Sequence, residues 1–183
     1  MKEAVLRKAD AVKGLNEFAL RGEIVIFGST YMANFPFYEL AKKSRLENAI
    51  YNRSIEGMTL AEAKELLEVC VFPLRPSKLF LAFGEEEREE IGNSVKSYAE
   101  IVQKIRERLP STKLYLVCGD MQVQKDLNEA LAPLCDGKCV RTVLLPAQNS
   151  CKRIEYRQRF EILSSFFRDG RITMSDAFAM AAL

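Results

Sequence analysis

Short apolar runs bounded by glycine or proline alternate with longer amphipathic stretches along this chain. The first run is Ile24 to Phe27, between Gly22 and Gly28; Ala49 to Ile55, Lys78 to Phe83, Lys113 to Cys118 and Val140 to Leu145 follow it. Runs of this length, rich in β-branched and aromatic residues and closed by turn formers, predict buried strands. Between them, apolar residues recur at helical spacing. Val5, Ala9, Val12, Leu15, Phe18 and Leu20 predict a helix over 3–20, stopped by Gly22. A short helix is predicted over 37–43, after Phe35-Pro36. Thr59 with Glu62 three residues on has the spacing of a capping box and opens a predicted helix over 60–71, ended by Pro73. Ser94 is the predicted cap of a helix to Leu109 whose stripe is Tyr98, Ile101, Val102, Ile105 and Leu109. Further helices are predicted over 122–134 and 154–168. The apolar tail, 171–183, fits strand or helix.

Repeated strand–helix alternation predicts an α/β protein with a parallel five-stranded sheet covered by helices on both faces. A length of 183 residues suits one domain over 1–183, with the helix of residues 1–21 packing on it.

Composition narrows the function classes. The net charge is +2 and no long basic run is present, which argues against nucleic acid. No stretch has the roughly 18 apolar residues of a membrane span, and the charged amino terminus does not read as a signal peptide. Five cysteines, an odd number, fit reduced thiols in a cytoplasm better than a disulfide framework. Cys135 and Cys139 flank an Asp136-Gly137 turn without histidine partners and read as structural thiols, not as a metal site. No motif calls for a cofactor.

The candidate chemistry lies just after the first strand, where an open α/β sheet presents its loops to a ligand. Phe27-Gly28-Ser29-Thr30, then Phe35-Pro36, then Asn52-Arg53-Ser54-Ile55-Glu56-Gly57, then Pro76 to Gly84 together resemble, in order and spacing, the SGNH hydrolases, also called the GDSL esterase/lipase family. The small bacterial intracellular members are the most similar. The resemblance covers residues 15 to about 120. It implies a flavodoxin-like three-layer α/β/α fold and a cleft acting on esters, thioesters or carbohydrate acetyl groups. It places Thr30 where the family has its nucleophilic serine. It places Gly57 where a backbone N–H faces the oxyanion, and Glu86 where an asparagine side chain donates to it. Gly28, Ser29, Asn52, Gly84 and Glu85 are the accompanying binding candidates. The family's closing Asp-x-x-His motif fits Asp169 to Ile172 best, without its histidine.

The chain contains no histidine at all. A hydroxyl is a weak nucleophile until a positioned base takes its proton, and threonine adds a methyl group that restricts χ1. A carboxylate at position 86 has no donor for an oxyanion and repels it. Three readings follow. In the first, the chain keeps the fold and binds a small molecule or a protein in the cleft without ester hydrolysis. In the second, it hydrolyses esters with Thr30 and a carboxylate base, Glu86 or Asp169. In the third, Gly28-Ser29-Thr30 opens an anion- or nucleotide-binding loop. Thr30 also has a purely structural reading as a loop hydroxyl that bonds the backbone. The run Glu85 to Glu90 has the chemistry of a metal site or of a surface for a basic partner but reads as a solvated loop, and Lys152, Arg153, Arg157 and Arg159, which suit an anion, read with Glu155 and Glu161 interspersed as a charged outer helix face. Cys118 reads as a buried, inert thiol. The apolar residues 177–183 suit the core or a homodimer contact.

Overall fold

The computed structural model describes residues 1–44, 46, 48–87, 91–119 and 125–168. Strands β1 (Ile24–Gly28), β2 (Ile50–Asn52), β3 (Lys78–Ala82), β4 (Lys113–Cys118) and β5 (Val140–Leu144) form one sheet in the order β2-β1-β3-β4-β5, and every pairing is parallel. This is the flavodoxin-like order, with its topological switch between β1 and β3.

Side chains alternate across this sheet with a period of two and so build two cores. Val25, Phe27, Leu79, Leu81, Leu114 and Leu116 face the layer that holds α1 (Glu3–Leu15), α4 (Leu60–Cys70), α5 (Ile91–Arg108) and α6 (Lys125–Leu131). Ile24, Ile26, Phe80, Tyr115 and Val117 face the other layer, with Met32 of α2 (Thr30–Ala33), Phe37 of α3 (Phe37–Ser44) and Phe160, Leu163 and Phe167 of α7 (Lys152–Arg168). Both faces are therefore covered, as the strand–helix alternation predicts. The capping box at Thr59 and Glu62 forms with both of its reciprocal hydrogen bonds.

Several boundaries differ from the sequence reading. α1 ends at Leu15, and Asn16–Phe18 tighten into a 3₁₀ turn. The stripe is thereby broken: Val5, Ala9 and Val12 are buried, but Leu15, Phe18 and Leu20 are exposed. Asn16 anchors this turn instead, donating to the Val69 carbonyl and accepting from Arg53 Nε. A short helix, α2, follows Ser29 where only a loop was expected. α5 begins at Ile91, so Ser94 lies inside it and is buried, not a cap. The edge strand β2 has only three residues, yet the chain stays beside β1: Arg53 N–H donates to the Ile26 carbonyl and Ile55 N–H to that of Gly28. Asp169, Ile172 and the apolar tail lie outside the described residues, as do Glu89 and Glu90 of the acidic run. No helix among the described residues is long and apolar enough to cross a membrane.

Candidate functional site

The carboxyl ends of β1, β2 and β3 bring three loops together. β1 ends at Gly28, where an added Cβ would lie 2.5 Å from the Ala82 carbonyl oxygen, so only glycine lets β1 and β3 approach this closely. Ser29 follows, 1% exposed, with its N–H on the Ala82 carbonyl. Its hydroxyl is buried and has no partner. Thr30 begins α2 and turns its hydroxyl toward the second loop.

That hydroxyl is the node of the site. Thr30 Oγ1 accepts from Gly57 N–H at 2.9 Å and donates to Glu86 Oε1. Gly57 has a φ of +72°, a left-handed conformation that glycine adopts freely and that aims its N–H at Thr30. Gly84, with a φ of +121°, turns the chain out of the third strand and starts the acidic segment. Its three consecutive carboxylates are not simply solvated. Glu85 accepts from Tyr31 N–H at 2.6 Å, Glu86 takes the Thr30 hydroxyl, and Glu87 accepts from Leu60 N–H at 2.7 Å. Each side chain therefore ties the third loop to a different point on the other two. Burial pushes the Glu85 carboxyl above the usual range; the Tyr31 N–H opposes this and the neighbouring Glu86 charge adds to it. Asn52 ties the second loop to the first: its Nδ2 donates to the Met32 carbonyl on α2 and its Oδ1 accepts from Ser54 N–H.

Beside this node, toward β4 and β5, lies a cavity of about 350 Å³. Its apolar wall is Met32, Phe83, Val117 and Leu145, and its polar groups are Tyr31, Glu85, Gln148 and Arg159. Gly84 also lines it, but Thr30, Gly57 and Glu86 do not. The sequence reading centres the cleft on Thr30; the structure separates the Thr30 node from the open volume, with Tyr31 and Glu85 between them.

The far wall corrects another expectation. Glu155 and Arg159 do not belong to a solvated helix face: they are 0% and 2% exposed. Arg159 Nη1 lies 3.3 Å from Glu155 Oε1, its Nη2 donates to the Pro146 carbonyl, and its guanidinium stacks 4.8 Å over the Tyr31 ring. Arg159 Nε is buried without an acceptor. Glu155 also accepts from Tyr31 Oη, Asn149 N–H and Lys152 Nζ. Burial alone would raise the Glu155 carboxyl, but Lys152, Asn149 and Arg159 outweigh it and hold it below the ordinary range. The signal for this arrangement was present: 155 and 159 continue the four-residue spacing of Leu163 and Phe167, both buried on α7. Cys118 ends β4 next to the cavity, and burial pushes its thiol up to about 11, which keeps it protonated at neutral pH.

Thr30, Gly57 and Glu86 thus meet at one node, Gly84 and Glu85 line the cavity, and Gly28, Ser29 and Asn52 do not line it. Tyr31 and Gln148 are not among the sequence candidates, and Glu155 and Arg159 enter there only as members of the charged cluster on the last helix.

No family model and no curated protein matches the sequence. Solved structures do match the fold. A protein from Streptococcus pneumonia named after platelet activating factor superposes with a TM-score of 0.75 at 16% identity, over 90% of this chain and 93% of its own. A GDSL-like lipase from Bacteroides thetaiotaomicron gives 0.63 at 12% identity, over 75% and 77%. A family two carbohydrate esterase from Clostridium thermocellum, in complex with cellohexaose, gives 0.67 at 11% identity, over 82% and 65%. The chain has an SGNH-hydrolase-like fold.

Proposed function

We propose that this chain is an SGNH-hydrolase-like protein without Ser-His ester hydrolysis that uses the cleft at the carboxyl edge of its sheet to bind a small molecule. Fold alone does not carry function, so the reading rests on the site. Its single supporting observation is the hydrogen bond from Thr30 to Glu86. An oxyanion hole needs donors aimed at developing negative charge, each worth roughly 3–4 kcal/mol. Here the Tyr31 N–H is held by one carboxylate, the Gly57 N–H is held by the Thr30 hydroxyl, and a second carboxylate stands on that hydroxyl. The same charges disfavour phosphate or nucleotide at the Gly28-Ser29-Thr30 loop.

The experiment is hydrolysis of 4-nitrophenyl acetate by the purified protein, with Thr30→Ala and Glu86→Gln alongside. The expected result is no rate above that of the variants. A rate that is lost in Thr30→Ala would overturn the reading.

The same hydrogen bond favours a second reading, in which Glu86 is the general base for a Thr30 nucleophile, because hydroxyl and base are already in contact. That reading requires the rate to fall in both variants.

A further inference from the structure

We infer that the cavity beside Tyr31 selects small cationic molecules, amines with an apolar body, with Glu85 as the counter-charge. This rests on the small-molecule reading of the cleft given above and names its ligand class. Three observations carry it. The first is the volume of about 350 Å³, which holds a single ring with a short side chain and lies in the range of small-ligand pockets. The second is the apolar wall of Met32, Phe83, Val117 and Leu145, which receives the body of such a ligand. The third is the distribution of charge around it.

Arg159 is the cationic side chain on the cavity wall, and it is paired within the protein: Nη1 lies 3.3 Å from Glu155, a carboxylate that Lys152 shares, and Nη2 donates to the Pro146 carbonyl. Glu85 has no such partner. Its carboxylate accepts one backbone N–H from Tyr31, and no cation among the described residues pairs with it or with the adjacent Glu86. The cavity mouth therefore carries uncompensated negative charge against an apolar wall. An ammonium group there gains attraction from Glu85 and Glu86, whereas a carboxylate is repelled by both.

The test compares three ligands of the same shape: benzylamine, benzyl alcohol and benzoate. Each is titrated into the protein and followed by amide chemical shifts. Benzylamine is expected to perturb Gly84, Val117 and Gly119 and to bind about fivefold tighter than benzyl alcohol, the size of an exposed ion pair. Benzoate is expected to be weakest. Glu85→Gln retains an oxygen for the Tyr31 N–H and removes only the charge, so it should bring benzylamine down to the benzyl alcohol level. Added salt should weaken benzylamine alone, which checks the charge without any variant. Benzyl alcohol or benzoate binding as tightly as benzylamine, no loss in Glu85→Gln, no salt dependence, or shifts located elsewhere would overturn the ligand class while leaving the cleft a binding site. No binding by any of the three would overturn the small-molecule reading together with it.

Discussion

Thr30 donates its hydroxyl hydrogen to Glu86, a residue 56 positions further along the chain, while the same oxygen accepts from Gly57. One hydroxyl thus holds together the three loops that follow β1, β2 and β3. Replacing it with an isosteric methyl leaves a backbone donor and a carboxylate without their partner. Thr30→Val is expected to lower stability by about 1–3 kcal/mol in urea unfolding. An unchanged midpoint would mean that the node does not hold the loops.

The buried pair on α7 gives a second expectation. Glu155→Leu or Arg159→Leu strands a charge in the core and should cost about 3–5 kcal/mol each. The double variant removes both charges, so its loss should be well below the sum of the two. Denaturant titration of the four proteins measures this, and additive losses would show the pair to be uncoupled.

Gly28→Ala forces a Cβ to 2.5 Å from the Ala82 carbonyl, which the parallel pairing of β1 and β3 cannot relieve without shifting a strand. The expected loss is about 1–3 kcal/mol. Gly14→Ala, on α1 with no atom within 4 Å of the new Cβ, should hold stability or raise it by up to about 1 kcal/mol. Equal melting shifts for the two would contradict the close approach.

Carboxylates give stability a pH dependence of two signs. Glu155 and Glu62 are held below their ordinary value: burial opposes this, but Lys152, Asn149 and Arg159 at the first, and Lys2 and Thr59 at the second, outweigh it. Their contribution is present above about pH 4.3, the ordinary glutamate value, and is lost as pH falls through the depressed pKa. Glu85 is raised, chiefly by burial, so its charge works against folding at neutral pH and this penalty disappears on acidification. Thermal melts should therefore show acid destabilisation in the wild type. Glu85→Gln should melt higher than the wild type at neutral pH, with the difference closing as pH falls. A lower melt for Glu85→Gln at neutral pH would reverse the sign assigned here.

Much of the site follows from local signals, and the rest from packing. The positions of Thr30, Gly57 and Glu86 are readable because their motifs resemble those of the SGNH hydrolases in order and spacing, and the strand ends they follow lie side by side in a parallel sheet. The burial of Arg159 and Glu155 was hidden because charged residues on an amphipathic helix ordinarily face water. Only the spacing 155, 159, 163, 167 betrayed that they continue the buried stripe. Phe18 and Leu20 failed in the opposite direction: their apolar character suggests burial, but a 3₁₀ turn rotates them away from the core.

The sequence by itself determines the strands, the period-two faces that build two cores, the parallel order that exposes loops at one edge, and the absence of a histidine base. These depend on short-range pattern, on connectivity and on composition. Only the tertiary structure decides that Glu85, Glu86 and Glu87 grip three separate partners, and that the open volume lies on the Tyr31 side of the node. Those outcomes depend on where three loops distant in sequence converge and on which charges find partners there, and neither quantity is a property of any local stretch of chain.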